Sequence, residues 1–284
     1  MNGLKFNHFD LLSPEPIYLK NVGGIISPTL RDISSIGYDV YQYYLSVLLL
    51  DTKSYFSMIG NGEDFEQLTD EEKMQFNIYD LLISNTQSIE LVQEVLNFFI
   101  KEDVLYSEDN NCFIVTKKSE YDIVEKYRKK FLFFFNRELE TVTHKTEDVP
   151  IGFITKENYN SVCELICKRN SIKAKHIEDM SKVKSKKALE IMKKLQKGRE
   201  EKAKLTKADK NMELGNVVSA IANRSQSLNI INIWDVTVYQ VWDCFARISN
   251  NNIYDIQSTS VAAYGNKDNY FDFNSWFKRI DESN

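Results

Sequence analysis

Glycine and proline are scarce in this chain, ten and four in 284 residues. Sandwiches and turn-rich barrels spend such residues at every tight turn, so their scarcity argues against an all-β fold. No apolar run approaches the ~20 residues that cross a bilayer, and the opening Met1-Asn-Gly-Leu-Lys carries no apolar signal region. No membrane association is expected. There are only three histidines and four cysteines. Cys163 and Cys167 lie four apart on a predicted helix, near enough to share a metal, but no second Cys/His pair has ligand spacing. They read as buried thiols, and the expectation is no metal site and no cofactor. The chain also lacks a phosphate-binding loop, a dinucleotide glycine fingerprint and a G-x-S-x-G elbow. His8, His144 and His176 stand in unrelated polar contexts. No catalytic residue is assigned, and the reading is non-enzymatic.

What the chain does have is apolar and aromatic side chains: 43% hydrophobic, 12% aromatic, with 17 Phe and 15 Tyr. That is enough to bury a sizeable core. With long periodic runs and few breakers, it predicts a mainly α protein. Charge is spread unevenly. From Lys168 to Lys210 sixteen Lys/Arg face six Asp/Glu, a surplus of ten, so the rest carries −15 of a total −5. This basic stretch reads as a solvated helical arm or linker. It divides the chain into an N-terminal mainly helical domain (1–167), the arm (168–210) and a smaller aromatic-rich C-terminal helical unit (211–284).

Within the first part, Ile17-Tyr-Leu reads as a strand and Gly23-Gly24 as the turn after it. Ser27 and Pro28 read as N-cap and first position of a helix bearing Leu30, Ile33 and Ile36, which Gly37 ends. Further helices are predicted from Tyr38 to Leu49, from a start at Asp51-Thr52 to Ile59, over 70–84 and over 88–102, with a loop at 60–64. Two apolar runs around Glu108-Asp-Asn-Asn predict a β-hairpin near 104–115. Residues 121–139, with Phe131-Leu-Phe-Phe-Phe135, fit strand and buried helix alike. Ile151-Gly-Phe-Ile leads into a helix capped by Thr155, with Tyr159, Val162, Cys163 and Ile166 on its apolar side. A short helix over 213–222 follows the arm.

The densest signal is Trp234, Val238, Val241, Phe245 and Ile248, spaced alternately four and three apart. That is one face of a helix, for which Asn232 is the expected N-cap and Asp235 its acidic capping partner. Asp235 and Asp243, two turns apart, read as cap partner and surface charge before they read as an acid/base pair. The stripe is core for the C-terminal unit. Yet about 75 residues must cover both this face and a second cluster, Tyr270-Phe-Asp-Phe-Asn-Ser-Trp-Phe, and small units often complete such burial with a partner. Trp234, Val238, Val241, Trp242 and Phe245 are therefore the candidate partner-binding residues.

Two stretches carry a resemblance: Glu15-Pro-Ile-Tyr with Ile26-Ser-Pro-Thr-Leu-Arg-Asp-Ile and Ile36-Gly-Tyr-Asp-Val-Tyr-Gln-Tyr-Tyr-Leu, and Leu228 through Ile248 with Tyr254-Asp-Ile and Phe273-Asn-Ser-Trp-Phe. They resemble proteins of the tail-morphogenesis modules of phages of low-GC Gram-positive bacteria, most closely tail assembly chaperones. The resemblance implies a non-catalytic protein in the host cytoplasm that binds the tape measure protein, with the tail tube protein as a further partner. It would keep the long helical client soluble until the tube forms. The acidic body and basic arm fit self-association. The competing readings are a structural tail or baseplate component, and a nucleic-acid-binding protein using the arm. The arm has no aromatic residue to stack on bases, which disfavours nucleic acid as a partner.

Overall fold

A computed structural model describes residues 6–117, 149–172, 210–266 and 270–279. Among them are eleven α-helices and five short strands, so the fold is mainly α, as composition predicts. The first elements are α1 (His8–Leu12), β1 (Ile17–Leu19), β2 (Gly23–Ile25), α2 (Leu30–Ile36) and α3 (Tyr38–Leu48). Then follow α4 (Thr52–Met58), α5 (Gly62–Gln67), α6 (Asp70–Lys73), α7 (Ile78–Leu82) and α8 (Thr86–Phe99). Strands β3 (Asp103–Ser107), β4 (Cys112–Lys117) and β5 (Val149–Ile154) precede α9 (Tyr159–Arg169), α10 (Leu214–Arg224) and α11 (Val238–Tyr264).

Local chemistry explains where the expectations hold. Gly37, at φ 92, ends α2 and lets α3 leave in a new direction. The Asp51 carboxylate accepts from the Ser54 N–H and starts α4. It also explains the corrections. The cap of α2 is Thr29, not Ser27: Thr29 and Asp32 form a reciprocal capping box, while the Ser27 hydroxyl donates to the Arg169 carbonyl at 2.7 Å. Gly23 and Gly24 are paired with Leu19 and Tyr18 in β2, so the turn is 20–22 and not the glycines. The expected loop at 60–64 begins α5, whose Phe65 stacks on Phe56 at 4.7 Å. The single helix expected over 70–84 is two, because the Asn77 side chain accepts from the Tyr79 N–H and recaps the chain at α7. The helix after Thr155 starts only at Tyr159.

The predicted hairpin is present as β3 and β4, with Val104 opposite Val115. Residues 151–154 are not a lead-in, however. They belong to β5, which adds antiparallel to the other edge of β4 and pairs Ile154 with Phe113. The inward faces of this three-stranded sheet join α8 and α9 in one core: Leu96, Phe99, Val104, Phe113, Ile154, Val162 and Ile166 are all buried. Leu214, Val217, Ile221, Ile233, Val238 and Val241 belong to the same contiguous cluster. Chain from both sides of the lysine-rich stretch thus shares one core. Most of that stretch, and the phenylalanine-rich run 131–135, lie outside the described residues.

The thiols of Cys112, Cys163 and Cys167 are buried and only Cys244 is partly accessible. Burial pushes Cys163 up to about 12 and Cys167 up to about 11, so both stay protonated and unreactive at neutral pH. A disulfide-exchange reagent is expected to titrate one thiol per chain in the native protein and all four after denaturation. A second native thiol reacting at the same rate would contradict this packing.

Candidate protein-interaction surface

The two halves of the resemblance meet at a single junction. Thr29 and Thr237 form an isolated antiparallel bridge. On one side the Leu30 N–H donates to the Val236 carbonyl (3.1 Å), and on the other the Val238 N–H donates to Pro28 (2.9 Å). Each threonine is also the N-cap of the helix it precedes, Thr29 with Asp32 for α2 and Thr237 with Gln240 for α11. Two capping boxes back to back thus launch two helices from one point, which satisfies N–H groups that a helix start leaves open. The expected cap at Asn232 is corrected accordingly. Residues Ile233–Asp235 form a separate 3-10 turn, and Asn232 makes no side-chain cap bond to it. Asp235 faces α2 instead, where its carboxylate accepts from Arg31 Nε and Nη2, both at 2.8 Å. The Arg31 guanidinium holds that carboxyl below the usual carboxylate range.

A shallow groove of ≈ 360 Å3 opens beside this ion pair, lined by Arg31, Ser34, Ser35 and Trp234. The Trp234 indole N–H donates to the Ile230 carbonyl at 2.9 Å, which fixes the ring edge-on to the turn. Ile231 in the same turn is 81% exposed. On α11, Val238 and Val241 are core residues with no surface to offer a partner. Trp242 and Phe245 pack edge to face at 6.2 Å and lie half-buried against the core. Of the five residues singled out from the sequence, the structure brings Val238 and Val241 into the core and leaves Trp234, Trp242 and Phe245 part of their surface.

Sequence periodicity missed the larger share of the exposed apolar surface. Beyond Ile248 the helix runs on for about 24 Å with Ile253 and Ile256 facing solvent. The chain then returns along it. Asn250 donates to Ser275, and Arg247 donates to the Lys278 carbonyl at 2.8 Å. This return places Tyr270, Phe273, Trp276 and Phe277 outward. A signal was available: from 249 to 264 the only charged residue is Asp255, and solvated helix faces usually carry more.

Among the described residues no three His, Cys, Asp or Glu come close enough to hold a metal ion, and no helix is long and apolar enough to cross a membrane. The two aspartates weighed as a pair have separate partners, Asp235 with Arg31 and Asp243 with His8 at 3.3 Å. What this surface offers chemically is burial of apolar area, beside the Arg31–Asp235 and Asp272–Lys278 ion pairs.

Residues 204–281 match the family model described as the YomV second domain, a phage-associated family. The matched stretch is less than half of the chain and contains α10, the Trp234 turn, α11 and most of the returning tail. Comparison with curated proteins and with solved structures gave no match.

Proposed function

We propose that this chain is a phage tail assembly chaperone, a non-catalytic protein of the host cytoplasm that binds the tape measure protein and keeps it soluble before the tail tube forms. The observation that carries the reading is the apolar surface over 230–277, which coincides with the stretch that matches a phage-associated family. Temporary burial of a helical client's apolar stripe returns ~25 cal/mol per Å2, and a half-buried aromatic pair such as Trp242 and Phe245 offers anchoring points without unfolding the host helix. The tail tube protein, which must displace the chaperone, is the expected second partner.

Co-expression of this chain with the tape measure protein of the same genome tests it. The expected result is a soluble complex, where the tape measure alone is insoluble. A tape measure that stays insoluble and does not co-purify would overturn the chaperone role, and a fixed copy number of this chain in purified virions would assign it a structural one. Trp242→Ala is expected to lower stability by about 1.5–2.5 kcal/mol, half the cost of a fully buried tryptophan, while the folded variant loses client in the pull-down. Loss of helical signal in that variant would place Trp242 with the core and not the site.

A further inference from the structure

We infer that the outer half of α11 is a self-association surface, which pairs antiparallel with the same helix of a second copy. The inference is independent of the identity of any client.

Burial along α11 falls stepwise. Val238 and Val241 are buried, 242–250 are partly covered, and from 251 onward the helix is mostly exposed. Its side faces are taken: α10 reaches it where Arg224 donates to Asn252, and the tail lies along Asn250 and Tyr254. Among the described residues a third face is left open, with Ile253, Ile256, Ser260 and Ala263 spaced three, four and three apart. That spacing is a coiled-coil seam. Ile256 is 72% exposed. The sequence here, rich in Asn, Ser and Thr, has low helix propensity, and such a helix gains its stability from packing.

Two features select a second copy as the partner. With Asp255 its only charge, this stretch of helix has little to attract a charged partner and little to repel its own twin. In antiparallel register about position 258, Ile253 meets Ala263 and Ile256 meets Ser260, so each large side chain faces a small one on the other copy. A two-fold axis generates both pairings at once. Tyr264, 78% exposed at the last position of the helix, adds an aromatic side chain beside Ala263.

Sedimentation of the full chain over a dilution series is the test. The expected result is a dimer that dissociates on dilution and is not weakened by salt. Ile256→Glu, at an exposed site, should raise the dimer dissociation constant at least about tenfold, while the diluted monomer melts as the wild-type monomer does. Ala263→Trp, which adds bulk only where the second copy would sit, should do the same. Oxidation of mixed Ile253→Cys and Ala263→Cys chains should give the heterodisulfide, and a homodisulfide of Ala263→Cys alone would overturn the antiparallel register. A wild-type monomer at every concentration overturns the proposal. So does a dimer indifferent to both substitutions, or a monomer whose Ile256→Glu form loses only the client.

Discussion

Arg169→Met should destabilise the protein by about 3–5 kcal/mol, the range for losing several hydrogen bonds to one charged group and leaving their buried acceptors unpaired. Arg169 is the last residue of α9 and has no exposed surface. Its guanidinium reaches across the core to the N-terminal segment: Nη1 donates to the carbonyls of Asp10 (3.2 Å), Leu11 (3.0 Å) and Ser13 (2.8 Å), and Nη2 to Glu15 (2.9 Å). The first three are carbonyls at the end of α1, which has no helical partner for them, and the fourth belongs to the extended chain just after it. A five-residue helix has no stability of its own, so the arginine ties this segment down. Burial lowers the pKa of the guanidinium, yet the group remains charged, because an arginine does not lose its proton in proteins. Methionine fills the volume but leaves the carbonyls unpaired. Lysine keeps the charge as a compact point without the planar fork, so Arg169→Lys is expected to fall between wild type and methionine. Urea unfolding gives the free energies, and hydrogen exchange over residues 6–15 should rise in both variants. A loss below about 1 kcal/mol in the methionine variant would contradict this account. The consequence extends to the interaction surface. Gln240 donates to the Leu12 carbonyl, and His8 meets Tyr239 and Asp243, so the released segment would also loosen the first turns of α11.

Arg169 shows why part of this fold was not legible in the sequence. At the edge of a lysine-rich stretch it reads as one more solvated cation, and nothing local says that four carbonyls some 155 residues earlier need it. The same holds for β5. Val149–Ile154 has four apolar residues interrupted by a proline and a glycine, and only the waiting edge of β4 makes it a strand. What was legible depended on near neighbours: Gly37 between two helices, the Asp51 cap, the hairpin around Asn110. Cap choice failed where two candidates stood close together. Ser27 and Thr29 both precede α2, and Asn232 and Thr237 both precede α11. In each case the winner is the threonine that completes a capping box with the residue three on, Asp32 or Gln240; Asn232 also has an acid three residues on, Asp235, but Arg31 takes that carboxylate. The stripe from Val238 to Ile248 was readable as a helix face, and its inner part is core as a stripe should be. The continuation at Ile253 and Ile256 was not, because it lies rotated around the helix from the first stripe and is interrupted by asparagines.

Gly152→Ala should be nearly as damaging, at about 3 kcal/mol, the upper end of what one inserted methyl costs in a packed site. A Cβ on Gly152 would stand 2.6 Å from both the carbonyl carbon and oxygen of Asn21, and 2.7 Å from the Val22 nitrogen. Those atoms are backbone, so no rotamer change relieves the overlap. Neither wall can retreat easily. Gly152, on the outer strand β5, is paired to Val115 of the central strand, and the turn at Asn21 already holds a left-handed φ of 61 while it accepts the Phe153 N–H at 2.9 Å. Moving the turn away breaks that bond, and moving β5 away breaks the sheet. The variant should therefore unfold at lower urea with an unchanged m-value, as expected when stability changes and the exposed area does not. Gly215 in α10 supplies the contrast. A Cβ there meets nothing within 4 Å, so Gly215→Ala should gain about 0.5–1 kcal/mol from helix propensity and a less flexible unfolded chain. If both substitutions moved stability in the same direction, the close approach of the 20–22 turn to β5 would not be what fixes glycine at 152.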